Sequence, residues 1–597
     1  MRATSGRHAT APVAAGAALA LALVLASCSG RTTGATNVAQ QSNGTYSARL
    51  NARGSCDQSC SAFLRWRRVG TATWTNGPII NDIHQVSDVP WYQDATGLAQ
   101  RAQYEYQACG KEASWDSYVC VGPNGTSSTE RFATGVTSLT QLSSDPYTNT
   151  TSQHATEVEP DSFASGSTIV AAFQVGRFFN GGASNIGWAR STDGGASWSH
   201  GFLPGITTFA GGSFARVSDP SVAYDAAHGV WLISSLPLSS TTNGAGVLVS
   251  RSTDGGTTWG NPVAVAIAGT GNAGTNLDKN WIACDNTSTS PFYGHCYVEW
   301  DDNGNGNRVK MSTSTDGGGT WGPARETANA AGGLGGQPVV QPNGTVVVPL
   351  NNANETAILA FRSTNGGASW GNATTVSAIS RHTVAGSLRT GPLPSAETDR
   401  AGKVYLVWQD CRFRSGCAAN DIVMTTSTDG VAWSSVVRIP THATASAFDH
   451  FIPGIAVDPS TSGSSARLAL AYYYYPNASC TTSTCQLDVG FTSSADGGAS
   501  WRAPVQLAGP LSLTWLANTN QGFMVGDYIS TSFAAGTARP VFASAGAPSG
   551  GVLSEAMFTS DTSTPSAEAK RAKRTVRSPV LSASSDHAAS SGTVRRR

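Results

Sequence analysis

The sequence predicts an all-β protein whose bulk is a ring of repeated four-stranded units, and three observations carry that expectation. A turn motif of seven or eight residues recurs six times. Short runs of alternating apolar and polar residues lie between the copies. Charged residues are only 13% of the 597, with 66 glycines, a composition suited to many tight turns rather than to helices rich in Lys, Glu and Leu.

The motif reads Ser191 to Trp198 (STDGGASW), Ser252 to Trp259, Ser314 to Trp321, Ser363 to Trp370, Ser427 to Trp433 and Ser494 to Trp501. Its Asp or Asn positions, Asp193, Asp254, Asp316, Asn365, Asp429 and Asp496, stand 49 to 67 residues apart, a spacing that fits one four-stranded blade each. Asp and Asn side chains bond nearby backbone N–H groups, the glycines permit positive φ, and the Trp supplies a large apolar anchor. A second periodicity places Pro or a substitute five residues before another Asp or Asn: Pro220/Asp225, Asn280/Asp285, Pro338/Asn343, Pro394/Asp399 and Pro453/Asp458. It marks an inner strand and its turn. Gly-led apolar strands follow, so each unit reads as strands A, B and C, the motif turn, then strand D.

After the sixth motif, three more strands follow from Gly526, Thr537 and Val552. A strand at Thr137 to Ser144 would complete a seventh blade and hide the ring's edges. The expectation is therefore a β-propeller of seven blades over residues 137–560, with six blades plus a capping segment as the alternative. These repeats resemble the Asp boxes of the sialidase-like (BNR repeat) propellers, a family whose known sialidases have six blades.

The preceding region, residues 44–136, alternates in short runs that predict a small β-sandwich. With Trp66 in an early strand and Leu98 six residues before Tyr104, it resembles a fibronectin type III domain, although Gln100 and Ala102 replace the Pro and Thr of that family's pattern. The resemblance makes Tyr104 a corner tyrosine. A spacer or adhesion role is expected of it.

The first 27 residues carry Arg2 and Arg7, an apolar stretch from Ala9 to Ala26 and small residues before Cys28, the layout of an export signal. A membrane-spanning helix is the alternative. The ending Leu25-Ala26-Ser27-Cys28 resembles the bacterial lipoprotein signal, which implies a lipidated Cys28, an extracytoplasmic membrane-anchored protein and a flexible tether over residues 28–43. Removing Cys28 from the eleven cysteines leaves close sequence pairs that suit disulfides in an oxidising compartment: Cys56/Cys60, Cys109/Cys120, Cys284/Cys296, Cys411/Cys417 and Cys480/Cys485. Metal binding is the rival, without CxxC spacing or a His cluster, so no metal and no cofactor are expected.

Residues 561–597 hold eight Lys or Arg against three acids, with no apolar period, and are expected to be a disordered basic tail. Without that tail and the two signal arginines, 28 basic and 35 acidic residues remain, which argues against nucleic acid as a partner. A monomer is expected.

Strand order puts the Asp boxes and the A–B turns on one face, and the B–C loops and blade connections on the other, where the sialidase resemblance places a ligand site. Candidates at that level include Arg381, Asp301, Asp302 and Asp527. A sialidase needs three arginines on the substrate carboxylate, a Tyr nucleophile with a Glu, and an Asp acid/base. The corresponding set is Arg177, Arg389 and Arg412 as clamp, Tyr528 as nucleophile and Asp410 as acid/base, with Glu159 and Glu397 as partners for the nucleophile. Arg414, Asp449, His450 and Tyr474 are candidate ligand contacts, with Tyr473 and Tyr475 beside Tyr474 for sugar stacking. The alternative is that these are loop salt bridges and a packed tyrosine. The family's Arg-Ile-Pro signature precedes its first Asp box; here the only such run, Arg438-Ile439-Pro440, follows the fifth and reads as a strand edge. The expected function is binding of a glycan or surface protein, with an exo-α-sialidase-like hydrolase and a non-binding envelope protein as alternatives.

Overall fold

Strand registers fix where each part of the chain lies. The computed structural model describes residues 28–560 and 562, apart from 41–45, 69–70, 99–101, 113–117, 122–129 and 135–138. The expected signal segment and basic tail lie outside the described residues.

Seven N-terminal strands, from Cys28–Gln40 to Glu130–Thr134, form one hydrogen-bonded network. The reason is the 23-residue strand Tyr46–Arg68, long enough to pair with four others along its length. Residues Cys28–Gln40, expected to be a tether, instead pair with it; Thr32, Thr33 and Thr36 suit extended backbone. Trp66, Leu98 and Tyr104 share the core with Leu50, Leu64 and Tyr106. Tyr106 is the tyrosine whose hydroxyl bond back to the chain is described: it donates to the Asn51 carbonyl at 2.9 Å.

From residue 139 onward the chain builds antiparallel sheets. Glu157–Phe202 and Arg216–Ile267 each supply four strands, joined into one eight-stranded sheet through Ala183 and Val217. Further sheets span Leu277–Glu326, Gly333–Ala378, Ser395–Arg438 and Asp449–Ser512. The last consists of Ser530–Ala534, Thr537–Ala545, Glu555–Thr559 and, from far upstream, Thr140–Gln141. The first strands of successive sheets lie against one another, and Ser530–Ala534 returns to Glu157–Ser165.

Two sets of hydrogen bonds lace neighbouring sheets. Near the inner strands, Asp161 accepts from Val222 N at 2.7 Å, Ser221 from Ile282 N at 2.9 Å, and Ser395 from Ile455 N at 3.2 Å. Ser530 of the last sheet accepts from Ser162 N of the first at 2.9 Å. Three of these side chains, Asp161, Ser221 and Ser395, directly follow a proline. At the motif turns, Arg190 donates to Gly255 O, Arg251 to Gly317 O, Arg362 to Asp429 O and Arg539 of the last sheet to Gly194 O of the first.

Within a motif, Asp193 Oδ1 accepts from Ser197 N at 2.9 Å and Gly195 N donates to Ser191 Oγ at 2.8 Å, with both glycines at positive φ. The bonds from Ser197 hold the Asp193 carboxyl well below the usual range. These turns are scaffold: they close their own hairpin and receive the neighbouring sheet's arginine. Ser191 pairs with Ile169 and Ile169 with Ala164, so the motif turn sits at the A–B end, while Val175 pairs with Glu157 at the opposite end, beside Arg177.

Disulfides join Cys109–Cys120, Cys284–Cys296, Cys411–Cys417 and Cys480–Cys485, and Cys60 is also disulfide-bonded.

Burial also makes the fold pH-sensitive. Glu157 is 2% exposed, accepts from Ser143 Oγ at 2.7 Å, and is pushed up to about 8 by burial. Its folded pKa lies above the unfolded value, so the folded state holds a proton that the unfolded state has lost. Stability therefore falls as pH rises from about 4.5 to about 8, by about 1.4 kcal/mol per unit for each such group. Glu157→Gln is expected to flatten the fall of the thermal unfolding midpoint over that window. An unchanged slope would contradict the assignment.

Candidate functional site

The second periodicity in the sequence turns out to aim side chains. In four inner strands the register slips opposite the proline or its substitute, and the residue just before it takes left-handed backbone: Glu159 (φ 62°), Asp219 (φ 48°), Lys279 (φ 53°) and Ile452 (φ 49°). Such a bulge redirects one side chain per strand, and non-glycine residues hold this conformation only where the surroundings impose it. All four lie toward the end opposite the motif turns.

Three of these side chains meet there. Lys279 Nζ bonds Asp527 Oδ2 and lies 3.8 Å from Glu159 Oε1, and its main-chain N–H donates to Asp219 Oδ2 at 3.1 Å. Arg389 grips the same Asp527 with two nitrogens, Nε at 2.7 Å from Oδ1 and Nη2 on Oδ2. Asp219 accepts from Ser218, which accepts from Gln174, which donates to Glu159. Arg177, 2% exposed, uses Nη1 on Gly182 O at 2.6 Å and Nε on Met524 Sδ. Arg389 is the most open of the group, with 19% of its side chain exposed.

Arg389 is set in place by a hairpin, Ala517–Thr519 with Gly522–Met524. Its main-chain N–H donates to Phe523 O at 2.7 Å while Phe523 N donates to Ser387 O. Gly522 is required here: at φ 112°, a Cβ would sit 2.1 Å from Ser387 O.

The charges polarise one another. Burial, then the neighbouring Asp219, pushes Glu159 up to about 8. Burial alone would raise Asp527 too, but Arg389 and Lys279 hold it well below the usual carboxylate range. Burial and then the adjacent Arg389 lower Arg177 to about 10. Burial raises Asp278 to about 6 despite Lys279 beside it. Two carboxyls on one lysine are thus pushed in opposite directions, Glu159 upward and Asp527 downward.

The sequence-predicted residues fall into two groups. Arg177, Arg389 and Asp527 come together, with Glu159. Arg412 is engaged elsewhere: its guanidinium grips Asp410, which also accepts from Trp408 Nε1, and donates to Ala378 O. Arg414 is bidentate on Asp421 and caps three carbonyls at Ala443, Thr444 and Ser446. Arg438 of the Arg-Ile-Pro run lies 3.5 Å from the same Asp421. Tyr528 is a packed tyrosine, edge-on to Trp281, whose hydroxyl donates to Pro220 O at 2.9 Å; burial raises it far above its usual value. It is not placed as a nucleophile. Tyr473, Tyr474 and Tyr475 are at most 2% exposed, with Tyr473 donating to Ala543 O and Tyr475 to Ala385 O, so they offer no stacking surface. His450 is fully buried and lowered to about 3 by burial. Asp449 is buried and bonds His382. Glu397 pairs across from Tyr405 and is raised to about 8 by burial and by Asp161. Asp301 accepts from Asn307 at 2.7 Å, and Arg381 pairs with Glu355.

Lys279, Asp219 and Asp278 were missed by sequence reasoning. The signal was present: the first two stand just before Asn280 and Pro220, the substitute and the proline in the second periodicity. Exposed aromatics were missed as well, namely Phe179, Phe209 and Phe413. Among the described residues, no group of three or more His, Cys, Asp and Glu side chains is arranged to hold a metal.

Residues 239–507 match a BNR repeat-like domain. That stretch covers the second through fifth motif copies and reaches just past the sixth, and so takes in the repeats that build the sheets. A search of curated protein sequences found no match. Among solved structures, a protein of unknown function from Dyadobacter fermentans is similar at 17% identity and a TM-score of 0.39, over 60% of this chain and 99% of that one. A polysaccharide lyase of the ulvan lyase family is similar at 10% identity and a TM-score of 0.41, over 70% and 95%. The endosialidase of phage phi92 is similar at 11% identity and a TM-score of 0.41, over 73% and 71%.

Proposed function

We propose that this chain is an exported, lipid-anchored protein whose seven-bladed, BNR-like propeller binds acidic carbohydrate through the face opposite the Asp boxes, with a fibronectin type III-like domain as its spacer. The observation that carries the reading is the proximity of Arg177 and Arg389 beside the residues that the inner-strand bulges aim. Arg177 Nη2 and Arg389 Nη1 have no partner among the described residues, and two adjacent guanidinium groups suit a sugar carboxylate. Lys279 and Asp527 supply further polar groups at fixed positions beside them. Seven successive strand groups, the first two joined in one sheet, the ring-wise contacts and the return of Thr140–Gln141 to the last sheet support the blade count.

The test is retention of the full chain on immobilised oligosaccharides bearing sialic or uronic acids. Wild-type protein is expected to bind, and Arg389→Ala to weaken binding at least tenfold. Equal retention of the two proteins would sink the reading.

A second reading, an exo-acting glycoside hydrolase, is favoured by the Glu159 and Asp527 pair. A carboxylic acid and a carboxylate at one site are the two groups that glycoside hydrolysis uses. Release of fluorophore from sialoside or arabinoside substrates, lost in both Glu159→Gln and Asp527→Asn, would establish it. Lipid anchoring has its own check: Cys28→Ser should move the protein from the membrane fraction to the soluble one, and retention in the membrane would contradict it.

A further inference from the structure

A second polar construction stands on the same face, away from the bulges. His382 is clamped by two buried residues. Asn420 accepts from the His382 main-chain N–H at 2.8 Å and donates to its carbonyl at 2.9 Å. Asp449 Oδ2 meets His382 Nδ1 at 3.1 Å, while Asp449 Oδ1 accepts from Asn420 N and Nδ2 at 2.7 and 2.9 Å. Asp449 and Asn420 are both 0% exposed, whereas a quarter of the His382 side chain is open. Burying an acid and an amide is costly unless every bond is made. Here Asn420 holds the His382 main chain, and Asp449 reaches its partly exposed imidazole.

The chain path is held beside this clamp as well. Ser380 is already bonded on both sides, its N–H to Asp410 Oδ2 and its carbonyl to Cys411 N, and the Cys411–Cys417 disulfide closes the adjoining loop. What the clamp does fix is the ring. With Nδ1 directed at Asp449, Nε2 is left with no partner among the described residues.

The disulfide loop next to it carries Phe413, 39% exposed. The nearby cations are already compensated, Arg412 by Asp410 and Arg381 by Glu355. An exposed aromatic face, an oriented acceptor and balanced charge together suit an uncharged pyranose, which offers an apolar C–H face and hydroxyl donors. We propose that His382 and Phe413 form a second carbohydrate subsite, for a neutral sugar, at the rim of the ligand face. This rests on the carbohydrate reading above and assigns the rim contact to His382 rather than to Asp449 or His450.

The probes are cellohexaose, mannohexaose and xylohexaose, titrated against the full chain by isothermal calorimetry. At least one is expected to bind wild type, to bind Phe413→Ala and His382→Ala at least tenfold more weakly, and to recover in part with His382→Gln. Phe413 is exposed, so its variant retains the fold even if that of His382 does not. Binding of a neutral probe that survives both rim substitutions but fails in Arg389→Ala would overturn the subsite and leave the carbohydrate reading standing. No binding of any neutral probe, with acidic glycans still retained, would also overturn the subsite alone. No binding of either class would overturn both.

Discussion

Lys279→Met is expected to destabilise the protein by about 3–5 kcal/mol, as breaking a buried ion network does when one partner is removed. Its ammonium is 10% exposed and serves Asp527 and Glu159, while Asp219 and Asp278 both accept from its main-chain N–H. Removing the charge leaves these acids facing one another, with Arg389 and Arg177 as the remaining nearby cations among the described residues. The double variant Lys279→Met/Asp527→Asn is expected to recover part of the loss, because the carboxylate most dependent on the lysine is then neutral. Denaturant unfolding measures both. A single variant as stable as wild type would show that the acids are not held by this lysine.

Leu142→Ala carries the second large effect, about 2–5 kcal/mol. Leu142 precedes every sheet-forming segment from Glu157 onward, yet it is 1% exposed in the core of the last sheets, beside Phe542 and Met557. Its main-chain N–H donates to Met557 O at 2.8 Å, and Ser143 Oγ accepts from Met557 N at 2.8 Å. The loss is expected only if the upstream strand closes on the last sheet. A ring left open at that point would tolerate the change with less than about 0.5 kcal/mol, as surface positions do.

The fold was legible because its signal is local and repeated. Each motif carries its own turn chemistry within eight residues, so six copies declare six hairpins without any knowledge of what they touch. Even the short strand at Thr140–Gln141 could be sought from the three strands left unpartnered after the last motif. The N-terminal sheet was less legible, since nothing in Tyr46–Arg68 announces one strand of 23 residues with four neighbours.

The site was legible only in part, because its contacts join residues far apart in the chain. Asp527 and Arg389 are 138 positions apart, and Lys279 and Asp527 248 apart. Charge and loop position found the two arginines. They could not tell that Arg412 and Arg414 would be consumed by Asp410 and Asp421, or that Tyr528 would bury its hydroxyl against Pro220. The run Tyr472 to Tyr475 shows the limit of alternation: strands packed against sheets on both sides bury both faces, so adjacent tyrosines all point into protein. Lys279 was hidden for another reason. Asn280 replaces the proline that marks the equivalent strands, so the bulge is announced less plainly where it matters most.

Hydrogen–deuterium exchange of the full chain, with and without a saturating acidic oligosaccharide, tests most directly where the ligand binds. Protection is expected in peptides containing Lys279, Ser387 to Arg389 and Gly522 to Asp527, with the motif turns unchanged. Protection confined to the turns around Asp193, Asp254 or Asp496 would contradict the assignment of the ligand face.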